Sequence, residues 1–116
     1  MLFLQYLQNN GEKVTLEAIA KPDKEFNCHR CALEVGYEHE QYVTSLINTI
    51  YEAAYAVKDF RTMQFLDWFV KEQGEEEKNA DDMLKKYDLY GSDPKGLYSL
   101  NSELAARVYT APSLTL

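Results

Sequence analysis

Two segments of near-equal length, each with an apolar stripe at helical spacing and a short break between them, constrain this chain most. Stepping by threes and fours, Phe65, Phe69, Gln73, Glu76, Ala80, Met83 and Tyr87 share one face, the pattern of an amphipathic helix. Leu33, Gly36, Glu40, Val43, Ile47, Ile50, Ala54 and Val57 form a matching stripe before it. The spacing predicts long helices over 26–57 and 60–89, broken by "KDFRT", the second ended by Gly91 and Pro94. A short turn between helices of similar length makes an antiparallel hairpin. Each helix would span ~42 Å if it holds ~28 residues at 1.5 Å apiece.

The remaining elements are shorter. Residues 1–10 read as the end of a helix: Leu4 and Leu7 lie one turn apart, and Asn9, Asn10 and Gly11 form a C-terminal stop. No capping residue precedes it, so the chain is expected to begin inside an element, as a truncated form of something longer. Residues 11–25 have no helical period and contain Pro22, which predicts a long, partly extended connection. A short helix is expected over 98–108, followed by a frayed tail. The 116 residues are expected to form one all-α domain or part of one. A lone hairpin would leave Phe65, Phe69, Ile47 and Ile50 partly wet. A second copy or another partner is therefore expected to complete a four-helix bundle, making the protein a homo-oligomer.

A net charge of −7 argues against nucleic acid and anionic lipid as partners, since both need a basic patch. It leaves cations as ligands. No apolar run reaches the ~20 residues that cross a bilayer, and "MLFLQYLQNN" lacks the basic start and cleavage site of a secretory signal. A cytoplasmic protein is expected. The "CHRC" motif, Cys28 and Cys31, stands alone, without a second ligand pair or a neighbouring strand. The pair is read as two small apolar residues early in a helix rather than as a redox or zinc motif.

The two stripes carry polar residues where core should be. Burying a carboxylate without a partner is costly enough that it neutralises, pairs or binds a metal. Glu40 lies 19 residues before residue 59 and Glu76 lies 17 after it, so in an antiparallel hairpin they share a level to within about a turn. Gln73, three residues before Glu76, lies on the same face. A Glu from one helix and a Gln-x-x-Glu from the next thus converge, like half of the di-metal pattern of bundle carboxylate proteins. Oxygen donors of this kind suit Fe(II), Mn(II) or Mg(II). The competing reading is a buried carboxylate satisfied by Tyr, Lys or His39. Glu72 and Glu75 flank the face as candidates for a second, looser ion; spacing alone favours reading them, with Glu77, as a solvated face paired to Lys71 and Lys78. His29 and His39 are too far apart for a helical pair, and Trp68 and the nine tyrosines fit packing.

The segments "FLDWFVKEQGEEEKNADDML", "YEHEQYVTSLI", "NGEKVTLEAIAKP" and "DPKGLYSLNSEL" together resemble the C-terminal two thirds of a bacterial non-haem ferritin, with W-[FY]-V-x-E-Q-x-E-E-E as the specific core. The resemblance implies a four-helix bundle with a fifth short helix, assembled into a hollow shell that oxidises Fe(II) and stores ferric mineral. By it, Glu40 and Glu76 match carboxylates of the second iron position, Gln73 the glutamine beside it, and Glu72 and Glu75 with Glu76 the accessory third iron site. The family's first helix and most of its second have no counterpart, nor do the first-helix Glu, the bridging Glu and the His. Two functional readings follow. In the first, the hairpin dimerises, brings two copies of Glu40, Gln73 and Glu76 inward, and binds iron with weaker affinity and slower oxidation than the intact family. In the second, it is a non-catalytic interaction module that co-assembles with intact ferritin subunits through its apolar face.

Overall fold

A computed structural model describes residues 1–116. It is all-helical, with α1 over Leu2–Asn9, α2 over His29–Ala56, α3 over Phe60–Tyr90 and α4 over Pro94–Ala105. Two compact units divide the chain: Met1–Glu25 with Tyr109–Leu116, and Phe26–Val108.

In the first unit, α1 stops where the "NNG" triplet ends it. Gly11 takes φ +76, its N–H reaches Gln8 O at 3.0 Å, and Glu12 N–H reaches Leu7 O at 2.9 Å. This pair of bonds satisfies carbonyls that a helix end otherwise leaves open, and it needs a left-handed residue that glycine supplies without strain. The connection that follows, through Glu25, has no regular structure.

The second unit is built on the α2–α3 hairpin. Its turn uses the same device with a different residue: Lys58 takes φ 58, its N–H bonds Tyr55 O at 3.0 Å, and Asp59 N–H bonds Ala54 O at 2.9 Å. Asp59 then caps α3. Its Oδ1 accepts from Thr62 N–H at 3.1 Å and its Oδ2 from Thr62 Oγ1 at 2.5 Å. These two hydrogen bonds hold the Asp59 carboxyl below the usual carboxylate range. One helix is terminated and the next started within three residues, which is why "KDFRT" reverses the chain so sharply.

Polar contacts fix the direction of the pair. Arg30 donates from Nε to Asp88 Oδ1 at 2.7 Å and from Nη2 to Asp88 Oδ2 at 3.2 Å. Tyr51 Oη donates to Asp67 Oδ1 at 2.9 Å. Partners that ascend α2 descend α3, as an antiparallel hairpin requires. Ile47 and Ala54 from α2, Phe65, Leu66 and Leu84 from α3 and Leu100 from α4 form the buried core, with Leu66 fully buried. Ile47 and Phe65 are therefore dry, contrary to expectation; Ile50 is 43% exposed and Phe69 half-buried. The face that does remain wet is a flank of α2, with Tyr42, Leu46 and Ile50 at successive turns; Val70 of α3 is exposed on the other side of the hairpin, beside Tyr51 and Tyr55.

The fourth helix starts at Pro94, ahead of the expected residue 98. Proline both ends one helix and opens the next, since its missing N–H is harmless in a first turn. Asp93 caps it, accepting from Gly96 N–H at 2.9 Å. A Cβ at Gly96 would lie 2.3 Å from Tyr90 O, so only glycine permits the close return of α4 onto α3. An ion pair between Lys86 and Glu103 joins the two helices further along. No helix is long and apolar enough to cross a membrane.

Candidate metal centre

Gln73 is the buried polar residue of the core, 7% exposed. Its Nε2 donates to Glu40 O at 2.8 Å and to Glu40 Oε2 at 2.6 Å. Both N–H donors of the buried amide are thus met from the facing helix, which accounts for much of its place in an apolar stripe. The carboxylate it holds is half-buried. Neither a tyrosine, a lysine nor His39 satisfies Glu40, as the competing sequence reading required; Gln73 does.

Glu76 behaves differently. It is exposed, and it lines a groove of about 220 Å³ together with Glu40, Leu33, Gly36, Met83 and Arg107. The two carboxylates thus face one solvent-open space, although Glu76 is not the buried residue its stripe position predicts. Of the accessory candidates, Glu72 is half-buried and Glu75 exposed. Glu77 corrects the expectation of a lysine-paired surface residue: its Oε1 accepts from Thr44 Oγ1 at 2.8 Å, and Thr44 Oγ1 lies 3.1 Å from Glu40 O. Lys78 pairs instead with Asp82 at 2.5 Å, holding that carboxyl below its ordinary range. The signal for Glu77 was its position four residues after Gln73, on the same side of α3.

Glu40, Gln73, Thr44 and Glu77 therefore make one polar cluster across the hairpin, with Glu76 at its open side. No three His, Cys, Asp or Glu side chains converge in a way that would hold a metal within one chain. His39 is exposed and lies against Tyr42, ring centroids 6.2 Å apart, while Trp68 packs edge-on against Phe69. The cysteines correct the sequence reading outright. Cys28 and Cys31 are joined in a disulfide and neither is free.

Two long antiparallel helices with a carboxylate and a carboxamide meeting between them form the core of an all-helical bundle protein. Residues 1–90 match the ferritin-like domain, and the chain belongs to that family. It is 36% identical over 99 residues to a probable bacterial non-heme ferritin-like protein of Haemophilus influenzae, covering 85% of this chain and 60% of that one. It is 37% identical over 95 residues to the bacterial non-heme ferritin of Campylobacter jejuni, covering 82% and 57%. The chain thus spans about three fifths of the length of these curated relatives. Among solved structures it superposes on an open pore ferritin from the archaeon Archaeoglobus fulgidus with a TM-score of 0.89 at 38% identity, covering 92% of this chain and 66% of that one. A closed form of the same organism's ferritin, engineered by mutagenesis, gives 0.88 at 39% identity, covering 92% and 65%.

Proposed function

We propose that this chain binds and stores iron, holding the ion with Glu40 and Glu76 beside Gln73, and that a second copy completes the site. The observation that carries the reading is the Gln73–Glu40 contact between α2 and α3, placed where Glu76 opens onto the same groove. Two carboxylates are hard anionic donors that suit Fe(II) and favour Fe(III) still more, so a bound ferrous ion is prone to oxidation by dioxygen. Iron is the cargo of this site, and Gln73 is its positioning residue.

One chain supplies too few donors for an iron ion. A symmetric pair doubles them, bringing two Glu40 and two Glu76 to one bundle. The exposed flank of Tyr42, Leu46 and Ile50 on α2 supports association, because a row of apolar side chains along a helix is the surface that bundle formation buries. In this reading Glu72, half-buried, and Glu75, exposed, serve a second, weaker ion. The names of the relatives, bacterial non-heme ferritins, support iron over other hard cations.

Anaerobic titration of the purified chain with Fe(II), read by equilibrium dialysis, tests the proposal. Saturable uptake that survives a large excess of Mg(II) is the expected result. Uptake no greater than that of an unrelated acidic protein of equal charge would contradict it.

A further inference from the structure

Cys28 and Cys31 bridge the first turn of α2, their Cα atoms 5.3 Å apart. The loop they close is too short to restrict the unfolded chain much, since the entropic effect of a cross-link grows with loop length. The buried residues of α2, Ile47 and Ala54, also lie several turns away. The bond is therefore poorly placed to act as a staple for the fold.

Its two sulfurs are unlike. Cys28 is the N-cap of α2, in extended conformation with φ −154 and ψ 158, and its Sγ accepts the Cys31 N–H at 3.0 Å. It is exposed, whereas Cys31 is half-buried inside the first turn. A helix start offers unpaired N–H groups and the positive end of the helix dipole, which together favour negative charge on a sulfur held there. The intervening residues are His29 and Arg30. The Arg30 guanidinium is bound to Asp88 and Glu34, which anchors the turn to α3 while leaving Cys28 open.

We propose that Cys28–Cys31 is a redox-active dithiol/disulfide couple that exchanges with low-molecular-weight thiols through Cys28. In the reducing direction, an external thiolate attacks Cys28 Sγ, the bond to Cys31 breaks, and Cys31 leaves as a thiolate that takes up a proton. A second external thiol attacks the external sulfur of the mixed disulfide and releases Cys28. The protein disulfide and two external thiols thus become a protein dithiol and one external disulfide, with two electrons moved and protons conserved. Cys28 Sγ, once reprotonated, remains in place at the N-cap of α2. This couple is independent of the iron reading, and either stands without the other.

Incubating the 116-residue chain across graded ratios of reduced to oxidised glutathione, then acid-quenching, alkylating and weighing it, tests the couple. The expected result is an exchange between chains carrying no label and chains carrying two, with helicity unchanged across the series. In C31S, glutathione should attach to Cys28 at least tenfold faster than to Cys31 in C28S. If either variant loses its helicity, fragment masses of the adduct trapped on the unaltered chain make the same distinction: Cys28 supports the proposal and Cys31 overturns it. A bond that stays closed in excess reduced glutathione while the chain is folded also overturns it. So does a zinc ion shared by the thiols of two chains.

Discussion

A chain carrying Glu40→Ala and Glu76→Ala is expected to bind Fe(II) roughly 100-fold more weakly or worse, because loss of groups that merely orient metal ligands already costs 10–100-fold. The fold should survive both changes. Glu76 is exposed, so removing it opens no cavity. Without the Glu40 carboxylate, Gln73 Nε2 still has the Glu40 main-chain oxygen at 2.8 Å, so the buried amide is not orphaned. Glu72→Ala with Glu75→Ala provides the contrast, with at most a modest loss of tight binding and removal of any weaker second phase. Isothermal titration under nitrogen, alongside far-ultraviolet circular dichroism, measures both. Equal affinities for parent and Glu40/Glu76 variant would place the iron elsewhere.

Leu66→Ala is expected to destabilise the chain by about 3 kcal/mol, the middle of the range for a fully buried leucine whose surroundings relax only in part. Leu66 has 0% exposure and sits close to the turn that Lys58 and Asp59 fix, where the backbone has little freedom to close a void. Leu46→Ala makes the comparison informative, since Leu46 is 44% exposed and its truncation should matter only where copies associate. Denaturant unfolding at two protein concentrations separates the effects, because association makes apparent stability depend on concentration. A Leu66→Ala loss below about 1 kcal/mol would mean that the core collapses around the missing side chain.

The hairpin was legible because its signals are local and periodic. Two stripes at helical spacing, the stop at "NNG" and the reversal at "KDFRT" each act through neighbours in sequence. The Glu40–Gln73 meeting was legible only in part: distance to the turn set Glu40 level with Glu76, and Gln73 entered as its neighbour on the same face, yet it is Gln73 that reaches the Glu40 carboxylate. Burial was harder to read. A stripe stepped from Phe65 to Phe69 passes over Leu66, yet a core-facing helix buries a face wide enough for both, and Leu66 is the better buried. Glu76 lies on the same stripe but near its edge, where the groove opens. Glu77, one residue on, turns toward Thr44. A rotation of about 100° per residue decides between these neighbours, and only the packing of α2 sets its origin. The disulfide escaped for a different reason: residue spacing permits a bond between Cys28 and Cys31, but the extended conformation of Cys28 that brings the sulfurs together is a property of the helix start.

The chain spans about three fifths of its relatives' length, and the proposed iron site needs a second copy. The most direct test is the light-scattering mass of the purified protein, with iron analysis of the same peak before and after anaerobic addition of Fe(II). The expected result is a dimer, or a higher symmetric multiple of the 13.4 kDa chain, carrying about one or two irons per bundle. A monomer that emerges free of iron would contradict it.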